Sequence, residues 1–233
     1  MKLRNSMNRL DKEISIVMIY MNEEKAIKSV ISGIQKYTPN AEILIVDSSS
    51  DKTAEIAEKF SNVKVIKQFP PIGYGSAMTL ALRSATRKYI VTLDCDNTYP
   101  PEAILQMVEM MKNNSLDLVD GSRLRSKPKN MPWINYFGNV FFGLIASILF
   151  FRMFLDLHSG MRVYLKDSLE KFSWREKEPA LPVELLLMMQ KKNKKIGVYY
   201  IDYFERKGES KMNPLPTMYW TIYRILAVRF NRG

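Results

Sequence analysis

Apolar residues along this chain fall into two kinds of spacing, and the spacing switches repeatedly through the first half. Residues 14–19 and 42–46 are almost unbroken apolar runs, the composition of strands covered on both faces. After each run the apolar positions recur every three or four residues, as on one face of a helix. Helices are therefore expected from Asn22 to about residue 35 and from Thr53 to about residue 60. Asn22, Glu23 and Glu24 supply an N-cap and first-turn acids for the first of them. The alternation continues with a strand at 63–66, a helix opened by Gly73-Tyr74-Gly75-Ser76-Ala77 and running to about residue 86, a strand at 89–93, a helix at 101–112 and a strand at 116–119. Strands and helices in this order predict an α/β fold with a mainly parallel, doubly wound sheet, whose ligands gather outside the carboxyl ends of the strands.

Beyond residue 123 the pattern is less regular. A basic loop holding Arg123, Arg125, Lys127 and Lys129 leads into a long apolar and aromatic helix pattern from Trp133 to about residue 154. A polar turn at 156–162 returns to a strand at 163–164, a helix follows at 182–190 with Glu184 inside its apolar run, and a last strand is expected at 196–204. The lysines at 191, 192, 194 and 195 read as a solvated helix end. With no internal repeat and no low-complexity linker, one domain over 1–233 is expected, with halves at 14–123 and 124–211 and a basic-aromatic segment at 212–233.

One strand stops abruptly at two acids. The run from Tyr89 to Leu93 ends at Asp94-Cys95-Asp96, and Pro100 and Pro101 then turn the chain away. Carboxylates one residue apart repel each other unless a cation lies between them, and such oxygen ligands suit Mg²⁺ or Mn²⁺, the usual partners of a diphosphate. The same acids would also cap the helix that begins near Pro100, and spacing alone leaves both readings open. Cys95 is the only cysteine, which excludes an internal disulfide framework; it fits better packed behind the strand end than as a nucleophile.

Charge and composition narrow the partners. A net charge of +11 implies something anionic, and nucleic acid, an acidic membrane surface and a phosphorylated ligand all qualify. At 233 residues and 46% hydrophobic, the chain can bury a full core. The polar, basic start and the short apolar run at 14–21 predict no cleavable signal peptide. The apolar stretch at 140–155 falls short of the roughly 20 residues a span requires and is broken by Arg152, which favours an interfacial or core helix.

Seven short motifs in a fixed order carry a resemblance: Asn22-Glu23-Glu24, Val46-Asp47, Gly73 to Ala77, Asp94 to Glu102, Gly121-Ser122-Arg123, His158-Ser159-Gly160-Met161-Arg162, and Gly208-Glu209-Ser210-Lys211. Together they resemble the family-2 glycosyltransferases and, within these, the polyprenyl- and dolichyl-phosphate sugar synthases. The likeness covers nearly the whole chain. It implies the GT-A fold, a Rossmann-like, mainly parallel sheet with flanking helices, with amphipathic membrane-interface helices added.

It further implies an inverting, metal-dependent transfer of a sugar from a UDP- or GDP-linked nucleotide-sugar to a polyprenyl or dolichyl phosphate. Ile19, Met21, Glu23, Asp47, Gly73 and Cys95 would meet the donor, and Asp94 and Asp96 would carry Mg²⁺ or Mn²⁺ on its diphosphate. Thr98 stands where the mannose enzymes place a glutamine ligand to the metal. Arg123 and Arg162 would act in catalysis and, with Ser159, Arg206, Ser210 and Lys211, hold the acceptor phosphate. Asp156 and His158 flank the Ser-Gly turn and could orient the acceptor or a cation, although a structural hydrogen bond is the commoner use of a lone histidine. Glu184 would contact the sugar or the loop around Arg162, or serve equally as a paired acid on a half-exposed face. The resemblance places the enzyme at the cytoplasmic face of the cell membrane as a peripheral protein, its residues 133–155 at the surface, with no nucleic-acid partner. Transfer to a glycan or small molecule, and a non-catalytic nucleotide- or nucleic-acid-binding module, are the competing classes; only catalysis requires both Asp94 and Asp96.

Overall fold

The computed structural model describes residues 10–174, 180–206 and 214–230. The apolar runs become one seven-stranded sheet: β1 Ile14–Tyr20, β2 Glu42–Asp47, β3 Val63–Lys67, β4 Tyr89–Thr92, β5 Leu118–Ser122, β6 Arg162–Leu165 and β7 Ile196–Tyr200. They lie in the order β3-β2-β1-β4-β6-β5-β7. The described helices are α1 Ile27–Tyr37, α2 Thr53–Ala57, α3 Tyr74–Ser84, α4 Ala103–Asn113, α5 Trp133–Phe150, α6 Lys166–Leu169, α7 Leu181–Lys191 and α8 Pro214–Phe230.

Helices cover both faces of the sheet. On one, α1 and α4 bury Ile27, Ile31, Ile34, Ile104, Met107 and Met111 against Ile14, Ile16 and Ile45. On the other, α3, α5, α7 and α8 pack Ala81, Phe142, Leu186 and Ile225 over Val17, Leu44 and Ile90. Each helix contributes residues three or four apart, the stripe that 3.6 residues per turn sets on one side.

Four details depart from the sequence pattern. β6 runs antiparallel to both β4 and β5, whereas the other pairings are parallel. The chain enters β6 from the carboxyl edge, with Arg162 opposite Thr92 and Asp120, so it can only descend. α1 starts at Ile27 rather than Asn22, because Asn22 adopts φ 57 and its Oδ1 accepts the Ser50 N–H at 2.9 Å, tying the β1 loop to the β2 loop. α5 ends at Phe150 rather than near 154: Phe151 is left-handed, and Ser147 Oγ accepts the Phe154 N–H at 2.8 Å as the chain folds back over Gly143. β7 ends at Tyr200 because its partner β5 ends at Ser122; residues 201–206 continue across the sheet edge, with the Phe204 N–H donating to the Thr98 carbonyl at 3.0 Å.

The last helix belongs to the core. Arg224 of α8 pairs with Glu184 of α7, both buried, and Lys191 Nζ donates to the Val228 carbonyl at 2.7 Å. His158 bridges α5 and α8, its Nδ1 2.9 Å from Asn139 Oδ1 and its Nε2 2.9 Å from Thr221 Oγ1. α5 has 18 residues with a mean hydropathy of 1.5, long and apolar enough to cross a membrane, yet Phe142, Gly143, Ala146 and Phe150 pack inward.

Candidate active site

The site lies where the parallel strands end. Thr92 closes β4, and the chain beyond it presents Asp94 and Asp96. Asp96 is buried: Oδ1 accepts from the Thr98 N–H at 3.1 Å and from its hydroxyl, and Oδ2 lies 3.2 Å from Arg206 Nη2. Asp94 accepts no hydrogen bond among the described residues. Burial and the neighbouring Asp96 charge push its carboxyl up to about 6, against the pull of Arg123, Arg206 and Arg162. A half-buried carboxylate held beside a second one suits a hard divalent cation. Among the described residues no third His, Cys, Asp or Glu converges there, so the remaining ligand positions would fall to diphosphate oxygens and water.

Two arginines on the neighbouring strands differ in kind. Arg123 follows β5 and forms a fork on Asp156, with Nε donating to Oδ2 at 2.8 Å and Nη2 to Oδ1 at 2.7 Å, while its own N–H donates to Oδ2 at 3.0 Å. Its guanidinium lies 5.3 Å from the Tyr203 ring centre and 6.0 Å from that of Tyr99. Burial alone would raise the Asp156 carboxyl, but the Arg123 cation outweighs it and holds Asp156 ionised below the usual carboxylate range. Arg162, on β6, is 0% exposed. Its Nε donates to Asp120 Oδ1 at 2.6 Å and its Nη2 to the Leu157 carbonyl at 2.9 Å, and its Nη1 bonds the Pro182 carbonyl. In this arrangement Arg162 ties β5, the 156–161 turn and α7 together and presents nothing to solvent.

The other expected residues sort in the same way. Thr98 is buried with both its donors on Asp96, and Ser159 is buried with its hydroxyl on the Gly121 carbonyl. Cys95 is buried behind the strand end, where desolvation pushes its thiol up. Ile19, Met21 and Glu23 lie at the β1 end, Met21 exposed, and the Glu23 N–H donates to Thr53 Oγ1 at 2.9 Å. Gly73 takes φ 126 at the start of α3, a conformation that favours glycine. Ser210 and Lys211 lie outside the described residues. His158 and Glu184 hold the helices described above.

Sequence reasoning passed over several participants. Gln68 follows β3 and donates its N–H to the Asp47 carbonyl at 2.8 Å. Among the described residues, Asp47 Oδ1 and Gln68 Oε1 are both buried without a hydrogen-bond partner, two acceptors at the ends of adjacent strands. A bound nucleoside carries O–H and N–H donors of the kind they lack. Tyr99 and Gly160 also join the site, through bonds that span about sixty residues and that no local pattern shows.

Known proteins resemble this one in sequence and in shape. Residues 15–173 match the family described as "Glycosyl transferase family 2". A dolichyl-phosphate hexose transferase of Haloferax volcanii is 37% identical over 203 residues, 87% of each chain. A UDP-N-acetylglucosamine–dolichyl-phosphate N-acetylglucosaminyltransferase of Methanococcus voltae is 27% identical, covering 95% of this chain and 98% of its own. A dolichol-phosphate mannosyltransferase of Pyrococcus furiosus is 29% identical over 86% of this chain and 59% of its own. In shape, the crystal structure of glucosyl-3-phosphoglycerate synthase from Mycobacterium tuberculosis with Mn²⁺, uridine diphosphate and glucosyl-3-phosphoglycerate superposes with a TM-score of 0.77 over 98% of this chain and 85% of that one, at 19% identity. The fold is thus that of the GT-A enzymes. The chain belongs to glycosyl transferase family 2 and is a glycosyltransferase.

Proposed function

We propose that this enzyme transfers a sugar, with inversion and with the help of a divalent cation, from a nucleotide-sugar to a polyprenyl or dolichyl phosphate at the membrane surface. The observation that carries the proposal is Asp94: a carboxylate with no hydrogen bond among the described residues, beside Asp96, on the sheet edge that also holds Arg123 and Arg206. The similarity to the dolichyl-phosphate hexose transferase supports the acceptor class.

Asp94 and Asp96 would hold Mg²⁺ or Mn²⁺, Thr98 fixing the orientation of Asp96. When bound, such an ion neutralises charge that develops on the departing diphosphate. Asp47 and Gln68 accept from the nucleoside. The acceptor needs no strong general base, because a phosphate monoester with a second pKa of about 6 is mostly ionised near neutrality. One of its oxygens forms the new bond to the anomeric carbon, the bond from that carbon to the diphosphate oxygen breaks, and the electron pair leaves with the diphosphate. Arg123, oriented by Asp156, and Arg206 hold the two anions together. Arg162 acts from behind, as a positioning residue for the turn that carries Asp156 and Gly160.

The membrane reading rests on α5. Trp133, Ile134, Phe137, Phe141, Leu144 and Ile148 are exposed along one side, while the other side is packed on the core. Lys127 lies at the start of this face, its Nζ 4.6 Å from the Trp133 ring centre. A helix packed along one side and apolar along the other fits the interface plane better than a span.

Membranes incubated with Mn²⁺ and a panel of radiolabelled nucleotide-sugars test the proposal. One label is expected to enter the organic phase, chelator abolishing the transfer and Asp96→Ala lowering it by about 10²–10³-fold with little change in melting temperature. Full activity of Asp96→Ala would refute the mechanism. Transfer to a soluble phosphate such as 3-phosphoglycerate, with none to lipid, would refute the acceptor.

A further inference from the structure

Gly160 lies directly against the Asp94 carboxylate. A Cβ added there would collide with Asp94 Oδ2 and stand 2.6 Å from Cγ and 2.7 Å from Oδ1, so any side chain at 160 displaces the acid. The backbone of the same glycine is gripped twice. Its carbonyl accepts the Thr92 hydroxyl at 2.8 Å, and its N–H donates to the Tyr99 hydroxyl at 2.7 Å. Thr92 stands two residues before Asp94 and Tyr99 three residues after Asp96, so the segment bearing both acids holds Gly160 from both of its ends. Tyr99 is itself buried, and its ring lies beneath Arg123. The turn is anchored below by the Ser159 hydroxyl on the Gly121 carbonyl, at the end of β5.

We propose that Gly160, clamped by Thr92 and Tyr99, is a positioning residue that sets where the Asp94 carboxylate stands relative to Asp96, and so sets the affinity of the pair for a divalent cation. The inference rests on the proposed function above. Metal ligands must be held to within about 0.5 Å to keep full affinity, and groups that orient them alter it by about 10–100-fold. Gly160 offers such control without touching the ion, because it supplies space for one ligand and a fixed peptide beneath it. No arrangement of bulkier residues at 160 reproduces both.

The test uses the full chain and Mn²⁺ alone, followed by electron paramagnetic resonance, with the metal dependence of transfer measured in parallel. Gly160→Ala is expected to raise the Mn²⁺ Kd by at least about tenfold and to move the metal midpoint of transfer equally, with the far-UV circular dichroism unchanged. Tyr99→Phe keeps the ring and removes the acceptor for the Gly160 N–H; a shift of about threefold or more in the same direction is expected. Should Gly160→Ala fail to fold, Tyr99→Phe decides, a shift supporting the inference and an unchanged Kd overturning it. Wild-type affinity in a folded Gly160→Ala chain overturns the inference while leaving the two acids as the metal site. A wild-type chain that binds no Mn²⁺ overturns both together.

Discussion

Arg123 and Arg162 carry the same charge and meet neighbouring strands, yet the Arg162 side chain is 0% exposed and the Arg123 side chain 9%, at the edge beside the acids. Arg123 is forked on Asp156 beside the Tyr99 and Tyr203 rings, so Arg123→Lys, which loses the fork, should raise the acceptor KM and lower kcat by about 10–100-fold with a modest change in urea midpoint. Arg162→Met leaves Asp120 buried without its cation and should cost about 3–5 kcal/mol, read as a lower urea midpoint. Which arginine is which was not legible beforehand, because burial is decided by β6 and α7, far away in sequence. Asp94 and Asp96 were legible as a pair of acids that stops an apolar run, although spacing alone left a helix cap and a cation site both open. Gln68 was not: its meaning lies in an atom left without a partner, which only packing reveals.

His158 gives a residue-scale test by pH. Burial holds its imidazole down at about 4, below the ordinary 6.5. Above pH 6.5 the ring is neutral in both folded and unfolded chains and contributes no pH dependence. As pH falls from 6.5 towards 4, the unfolded chain takes up the proton and the folded one does not, so stability falls, by about 3 kcal/mol at the limit, and then levels off. Urea midpoints of wild type and His158→Asn across this window should converge as the pH drops, because only the wild type has this dependence.

At the scale of elements, most boundaries followed from periodicity, and the two helix-end misses share one cause. α1 starts late and α5 stops early because side chains at their ends bond another segment, Asn22 to the β2 loop and Ser147 to the returning chain. The direction of β6 could not be read either, since four residues alternate identically whichever way they run; the turn at 156–161 decides it. α8 shows how a helix with exposed apolar residues, Leu215, Tyr219 and Phe230 among them, can still be structural. Glu184→Gln weakens the buried partnership of Arg224 and should cost about 3–5 kcal/mol, whereas Glu184→Leu with Arg224→Met should recover much of the loss in thermal denaturation.

At the scale of the whole molecule, charge and apolar surface act together. A chain of net charge +11 with an aromatic face on α5 should sediment with liposomes containing anionic lipid, and less so as salt is raised, because screening shortens to about 3 Å near 1 M. Replacing Phe137, Phe141 and Leu144 together by serine should abolish sedimentation while sparing transfer to a detergent-solubilised short-chain acceptor. Loss of both activities alike would mean that α5 serves the fold rather than the membrane. Charge alone left nucleic acid open as a partner; the family match shows the enzyme class, a glycosyltransferase.

The antiparallel strand has a consequence for how the chain is made. β6 lies between β4 and β5, although some forty residues separate it from the nearer of them in sequence. A nascent chain that has emerged only as far as Ser122 holds five strands and cannot join the fifth to the rest. The middle of the sheet stays open until residue 165 clears the ribosome, and with it the turn that brings Gly160 under Asp94. The stretch from 14 to 123 is thus no independently born module. A truncated chain ending near residue 125 should be captured by chaperones, and should lack cooperative unfolding, until the synthesis of forty further residues lets the last central strand drop into place.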